Sequence, residues 1–239
     1  MIVLPWMLAA QTASWHALLD LYERFPDGWT LVGGQMVHLH CAERGYAPPR
    51  PTDDADAVLD VKANPDILLD VTAALVELQF SPAGISAEGN QHRWVRHPAS
   101  LDLLIPHNVG ERLPRRAGVT AGPTVQTPGG TQALHRTEAV PVEVAGRQGH
   151  VRRPNLVGAL IIKAAAHTVP ADPARGRHRG DFATLSALVA AADFVGEDLS
   201  KRERKYLRDM VGATRADRVV MGSQPDAEDG LQRVERRIS

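Results

Sequence analysis

The chain has 239 residues, of which 44% are hydrophobic, so it is long enough to bury a substantial core. Charged residues make up 23% and the formal net charge is −1, which excludes an intrinsically disordered protein and a general nucleic-acid coat. The single cysteine, Cys41, excludes an intramolecular disulfide and a paired-thiol zinc site, so a cytoplasmic protein is expected. The apolar segment 1–10 is too short to cross a bilayer and lacks a basic leader, so we expect no membrane contact.

Helices and strands alternate in the first half of the chain, where apolar patterns of helical and strand period are separated by Gly and Pro. In chain order the patterns predict helix 12–24, strand 29–32, helix 35–44, strand 52–61, helix 64–80, strands 92–96 and 101–105, a long loop or weak hairpin at 118–130 and strand 140–144. Thr12 or Ser14 is the expected N-cap of the first helix. The alternation predicts an α+β domain over residues 1–150, in which helices flank a mixed β-sheet.

The character of the chain changes after Arg153, and the second half is predicted to be helical over residues 151–239. The predicted helices are 155–167, 182–195 and 200–210. Pro154 is expected at the first helical position, and Ser200 is an N-cap whose capping box is completed by Glu203. A basic linker is predicted at 175–180, and the tail from Gly222 is predicted to be loosely packed.

One predicted strand, TDDADAVLDV, carries an unusual number of acidic residues. Thr52, Asp54 and Asp56 alternate along it, so their side chains project from one face. Two neighbouring carboxylates repel each other, and a divalent cation with oxygen ligands, Mg²⁺ or Mn²⁺, would hold them together. The alternative is an Asp-rich surface turn. Asp102 favours the metal, because a carboxylate in an apolar strand is costly unless it is paired or coordinates a cation.

These features resemble the nucleotidyltransferase superfamily, the fold of polymerase-beta-like enzymes and antibiotic nucleotidyltransferases. The resemblance rests on a glycine pair, a spaced R-x-T-x-D-x-D string and a later aspartate, namely Gly33, Gly34, Arg50, Thr52, Asp54, Asp56 and Asp102. In this family the glycine pair lets backbone amides approach a triphosphate at a helix N-terminus. The resemblance implies a nucleotidyltransferase fold with Asp54, Asp56 and Asp102 as metal ligands.

A narrower resemblance comes from the second half. Lys163 in GALIIKAAAH, followed by Asp181 in RHRGDFATLSAL, is similar to the lysine and aspartate of the abortive-infection-type nucleotidyltransferase toxins, which include mycobacterial toxins that modify tRNA. The resemblance implies that the second half completes the active site. Lys163 would hold phosphate, and Asp181 would orient Lys163 or contact the base or the acceptor.

Composition bears on Lys163 separately. The chain has 23 Arg and only four Lys. A lysine inside an apolar helix is therefore not expected to be an incidental surface residue, and its ammonium should face an anion. Two structural alternatives stay open. Lys163 could snorkel from the edge of its helix, or it could form a structural ion pair with Asp181.

Other polar clusters are weaker candidates. His38 and His40 lie beside the one cysteine, but residues two apart on a helix do not face each other, so core or surface histidines are expected there. His92 and Arg93 precede the second acidic strand and are expected to approach the nucleotide. Arg-rich stretches are candidates for an RNA backbone track, although a solvated charged face is the commoner meaning of such runs. The residues concerned are Arg115, Arg116, Arg152, Arg153, Arg175, Arg177 and Arg179.

The resemblance implies an enzyme that transfers a nucleotide from a nucleoside triphosphate to the 3′ end of tRNA, with Asp102 helping to activate the attacking hydroxyl. It also implies a growth-inhibiting toxin restrained by a cognate antitoxin. A second interpretation replaces tRNA with a small molecule such as an aminoglycoside, but a basic rather than acidic rim argues against it. A third is a non-catalytic relic of the fold that binds nucleotide or a partner.

Overall fold

The computed structural model describes residues 1–48, 50–86, 89–107, 109, 118–120, 122–170, 172 and 175–239. Its strands are β1 (Ile2–Val3), β2 (Trp29–Val32), β3 (Asp54–Leu59), β4 (Ser81–Pro82), β5 (Arg93–Arg96), β6 (Ala99–Pro106), β7 (Val125–Thr127), β8 (Thr137–Val144) and β9 (Arg147–Pro154). Its helices are α1 (Ala9–Arg24), α2 (Gly33–Glu43), α3 (Ile67–Glu77), α4 (Gly130–His135), α5 (Leu156–Ala166), α6 (Arg175–Ala187), α7 (Lys201–Ala216), α8 (Arg218–Ser223) and α9 (Ala227–Ile238), with a 3₁₀ helix at Ala191–Phe194. The predicted α+β class is confirmed. Within this described part, every helix is too short or too polar to span a membrane.

The larger sheet carries the acidic strands. Its strand order is β2-β3-β6-β5-β4, and β7 pairs with the far end of β6. β3 and β6 are parallel, whereas β2 is antiparallel to β3 and β5 is antiparallel to β6, so the sheet is mixed as predicted. The register places Asp56 directly beside Asp102 and places Arg93 of β5 on the other side of Asp102.

Residues that alternate with the aspartates form the core beneath them. Ala55 and Ala57 of β3 and Leu101 and Leu103 of β6 are fully buried. Successive side chains of a strand point to opposite faces, so burying this apolar set turns the aspartates to the other face of the sheet. The pairing of parallel strands therefore brings the carboxylates together.

The predicted helices and strands of the first half are present with shifted ends, whereas the two-residue strands β1 and β4 are not predicted. α1 begins at Ala9, and its N-cap is Leu8 rather than Thr12 or Ser14. α2 begins at Gly33, directly after β2. The predicted loop 118–130 contains the short strand β7, and α4 follows it.

A smaller sheet has the strand order β1-β8-β9. The sequence patterns do not predict the hairpin partner β9, and the predicted domain boundary at residue 150 falls inside it. The prediction that Pro154 starts the next helix is wrong, because Pro154 ends β9. Asn155 is instead the N-cap of α5, and its side chain accepts a hydrogen bond from the Gly158 amide at 2.9 Å.

In the helical second half, the predicted N-cap of α7 is confirmed and the predicted linker at 175–180 is wrong. Ser200 caps α7 and Glu203 completes the capping box, as the sequence predicts. Residues 175–180 are the opening turns of α6 rather than a linker, and α6 ends at Ala187. Packing of α6 against α5 and α9 overrides the polar composition of its first turns.

The prediction of a loosely packed tail is also wrong. Ala227, Leu231 and Val234 recur at helical spacing on α9 and are fully buried against α6 and α7. Gly230 approaches the backbone of α6 so closely that a Cβ there would lie 1.7 Å from the carbonyl oxygen of Ser186. A glycine at this position is what allows α9 to dock.

Candidate active site

Three carboxylates meet on the polar face of the larger sheet. Asp54 and Asp56 lie two residues apart on β3, and Asp102 of β6 is the register partner of Asp56. Asp102 is buried, whereas the other two are partly exposed. Burial raises the pKa of Asp56 to about 7, and the negative charges of Asp102 and Asp54 act in the same direction. The three side chains therefore form a site that favours a cation.

A guanidinium lies against two of these carboxylates. Arg93 of β5 donates from Nε and Nη2 to the two oxygens of Asp102, at 2.8 and 2.7 Å. The same Nη2 lies 3.0 Å from Oδ2 of Asp54. Sequence reasoning places Arg93 near the nucleotide but misses this bidentate pair, because it arises from the register of β5 on β6.

The carboxylates suit a divalent cation chemically, although they do not stand as a complete metal centre. Carboxylate oxygens are the usual protein ligands of Mg²⁺. Over the described ranges, no group of three or more His, Cys, Asp or Glu side chains could hold a metal ion. Asp102 is engaged by Arg93, and Thr52 donates to Oδ1 of Asp54 at 3.0 Å. Arg93 also donates to Oδ2 of Asp54, so hydrogen bonding does not distinguish Asp54 from Asp102. The assignment of Asp54, Asp56 and Asp102 as metal ligands stays a prediction.

The glycine pair brings the first turn of α2 against these side chains. Gly33 has a φ of +67°, and a Cβ on it would lie 1.8 Å from Oδ2 of Asp56. A Cβ on Gly34 would lie 2.8 Å from Oγ1 of Thr52. The N-cap residue of α2, Val32, supplies no side-chain hydrogen bond to the helix. Among the described residues, no side chain caps the amides of the first turn, and they lie beside Asp56 in the arrangement that binds phosphate at helix N-termini.

Replacing Gly33 with Ala tests this close approach. We expect the change to lower the free energy of unfolding by about 1–3 kcal/mol, because it adds left-handed backbone strain and crowds Asp56. Gly45→Ala is the matched control, since Gly45 has a φ of +66° and a Cβ added to it would meet nothing within 4 Å. Urea unfolding compares the two variants. Equal losses of unfolding free energy in the two variants would show that the Asp56 side chain moves away from residue 33 at no cost in stability.

A second cluster joins the two halves of the chain. Nζ of Lys163 on α5 donates to Oδ2 of Asp181 on α6 at 2.6 Å, and both residues are at least 95% buried. Nη2 of Arg50 donates to both Asp181 oxygens, at 3.2 and 3.1 Å. Burial raises the pKa of Asp181, but the charges of Lys163 and Arg50 outweigh burial and leave that pKa below its usual value.

The structural ion pair that the sequence left open for Lys163 is therefore present. The charge of Lys163 also lowers the pKa of Asp56 against the effect of burial. Lys163 thus acts electrostatically on both clusters. Contact of Lys163 with a phosphate stays a prediction.

The Arg residues predicted to track RNA divide into four groups. For Arg153 the prediction is wrong, because it is 3% exposed and donates to both oxygens of Glu43, at 2.8 and 2.7 Å. Arg152, Arg175 and Arg179 donate to partners within the protein, whereas Arg177 is exposed and has no partner among the described residues. Arg115 and Arg116 lie outside the described residues.

Neither candidate histidine lies free. His38 bonds through Nε2 to the carbonyl oxygen of Arg50 at 2.7 Å, and burial lowers its pKa. His40 is fully buried, and its Nε2 lies 3.1 Å from the carbonyl oxygen of Pro154. Both rings therefore connect α2 to neighbouring segments.

Comparison with known proteins shows the fold. No protein-family model and no curated protein matches the chain. The crystal structure of an antigenic nucleotidyltransferase-like protein from Paracoccidioides brasiliensis is similar, with a TM-score of 0.53 and 15% identity over 94% of this chain and 93% of that chain. The solution structure of the antibiotic-resistance factor ANT(2'')-Ia has a TM-score of 0.48 and 14% identity, over 88% of this chain and 97% of that chain. The first likeness shows that this chain has a nucleotidyltransferase-like fold, whereas the TM-score of the second is too low to add to the argument.

Proposed function

We propose that this protein is a metal-dependent nucleotidyltransferase that transfers a nucleotide from a nucleoside triphosphate to the 3′ end of tRNA. One observation carries the proposal. The uncapped N-terminus of α2 lies directly against Asp56, because Gly33 removes the side chain that would separate them. A phosphate group and the cation that accompanies it need these two features side by side.

The residues have distinct tasks in this proposal. The first turn of α2 and Lys163 hold the triphosphate, Arg50 and Asp181 orient Lys163, and Asp54 and Asp56 hold Mg²⁺ or Mn²⁺. The bound cation supplies charge neutralisation on the phosphates. The oxygen of the attacking hydroxyl bonds to the α-phosphorus, the bond from that phosphorus to pyrophosphate breaks, and the hydroxyl loses its proton.

Asp102 has a more restricted part. As a third metal ligand, or as the group that accepts the hydroxyl proton, it would use the lone pair that each of its oxygens keeps beside the hydrogen bond from Arg93. Arg93 also neutralises Asp102 and limits its repulsion of Asp56.

The tRNA acceptor, the toxin role and restraint by a cognate antitoxin are supported by the resemblance of Lys163 and Asp181 to the toxin family. The exposed Arg177 near the start of α6 adds a phosphate contact that a small acceptor does not need.

Incubation of the purified protein with each labelled nucleoside triphosphate, Mg²⁺ and total tRNA tests the acceptor. We expect intact tRNA to become labelled, and tRNA whose 3′ end has been trimmed to remain unlabelled. Label on an aminoglycoside with tRNA untouched would contradict the tRNA assignment.

Charge reversal at Arg177 should weaken the binding of tRNA as the acceptor. We expect Arg177→Glu to raise the KM for tRNA several-fold at low salt and to reduce the salt dependence of that KM, because one phosphate contact is lost. The affinity for the nucleoside triphosphate should not change. Arg236→Glu is the control, since Arg236 is also exposed but lies near the end of α9. Equal effects of the two variants would indicate a response to net charge alone.

A further inference from the structure

A cavity of about 260 Å³ lies next to the Lys163 cluster and shares Arg50 with it. Most of its lining is apolar and comes from residues 4–7 and from Tyr46, Pro48 and Pro51. Two aromatic residues, Trp6 and Tyr46, contribute to the lining. Trp6 is 88% exposed, whereas Trp15, Trp29 and Trp94 are fully buried. An indole left uncovered at the mouth of a cavity offers a flat surface on which a planar ligand can stack.

Some polar atoms of this cavity lack partners among the described residues, whereas the Tyr46 hydroxyl and Nη2 of Arg50 are hydrogen-bonded. Gln11 is 95% buried, and its side-chain amide makes no hydrogen bond with any described residue. Nε of Arg50 is also buried without a partner in the described chain. Nε2 of His38 donates to the carbonyl oxygen of Arg50, so the neutral ring leaves Nδ1 as an acceptor. Buried polar groups are normally bonded, so this lining is suited to a ligand that both donates and accepts.

The cavity lies along the same face of α2 as the proposed phosphate site. Gly34, His38 and Ala42 are spaced by four residues, and the last two line the cavity. At 1.5 Å per residue, His38 and Ala42 lie about 6 and 12 Å along the helix from Gly34. A ligand with its anionic end at the start of α2 can therefore place a planar group in the cavity.

We propose that this cavity binds the base of the nucleoside triphosphate, stacked on Trp6 and hydrogen-bonded at its edge by Gln11. The inference rests on the proposed nucleotidyl transfer and adds the site that recognises the base. A nucleobase combines a flat π face with an edge of donors and acceptors, which matches the exposed indole and the unpartnered amide.

Tryptophan fluorescence tests the stacking directly, because Trp6 is the one exposed tryptophan among the four in the sequence. Each nucleoside triphosphate with Mg²⁺ should quench this emission, whereas inorganic tripolyphosphate should compete without quenching. Trp6→Ala should weaken nucleoside triphosphate binding about 5- to 100-fold, measured by calorimetry, and leave tripolyphosphate binding within twofold. Leu8→Ala is the matched control, since Leu8 is an exposed apolar residue of the same segment that does not line the cavity.

Gln11→Leu tests the edge contact, and it should reduce the preference of the protein among the four nucleoside triphosphates. If both variants bind these ligands as the parent does, while tripolyphosphate still binds, the base assignment is overturned and the proposed function survives. If the variants impair only the use of tRNA, the cavity holds part of the acceptor, which also overturns it. A parent protein that binds neither ligand and transfers no nucleotide would overturn the proposed function itself.

Discussion

Asp56→Asn is expected to lower the rate of nucleotidyl transfer about a thousandfold or more. A cation bound to the reacting phosphates stabilises the transition state by several kcal/mol, and the neutral amide cannot hold that cation. Asp53→Asn is the matched control, since Asp53 is exposed and projects from the other face of the same segment. It should keep nearly full activity. Single-turnover transfer to tRNA with saturating nucleotide measures both variants. Full activity of Asp56→Asn would refute the proposed role of this carboxylate.

The same variant should gain stability at high pH in buffer without divalent cations. The pKa of Asp56 is raised from 3.8 to about 7 in the folded protein, so the folded state binds this proton more tightly than the unfolded chain does. The stability of the parent therefore falls as pH rises from about 4 to 7, and the loss is complete above pH 7. The Asn side chain does not ionise, so the variant does not lose stability in this pH range. Thermal unfolding should show a higher Tm for Asp56→Asn than for the parent at pH 8, with the difference shrinking toward pH 4.

Lys163→Met is expected to cost about 3–5 kcal/mol of unfolding free energy, because it leaves the Asp181 carboxylate buried with Arg50 as its one remaining cationic partner among the described residues. Nucleotidyl transfer should be lost as well. Lys163→Arg should also be impaired, since the larger planar guanidinium does not fit a site built around a compact ammonium. Urea unfolding and transfer assays measure the two effects separately.

A double variant separates the structural role of Lys163 from its proposed role in binding phosphate. Lys163→Met combined with Asp181→Leu replaces a buried ion pair with apolar side chains, so most of the lost stability should return. Transfer should remain absent, because no ammonium faces the triphosphate. If transfer returned together with stability, Lys163 would serve only as half of a structural bridge.

The sequence by itself determined the elements that carry the carboxylates and the composition of the carboxylate face. Alternation along β3 predicts that Asp54 and Asp56 share a side, and the apolar run around Asp102 predicts a second strand that turns an acid away from the core. Short-range rules also predict the capping box of Ser200. These features follow from backbone geometry within a few residues, so a local pattern is sufficient to find them.

Only the tertiary structure decided which charges meet. Arg93 reaches Asp102 because β5 pairs with β6 in one particular register, and Lys163 reaches Asp181 because α5 packs against α6. The burial of Arg153, the docking of α9 and the cavity beside Arg50 likewise depend on contacts between segments far apart in the chain. Strand register and helix packing are selected by the burial of the whole apolar core, in which many contacts act together. The sequence around each charged residue does not carry that information, so the partners became visible only in the folded chain.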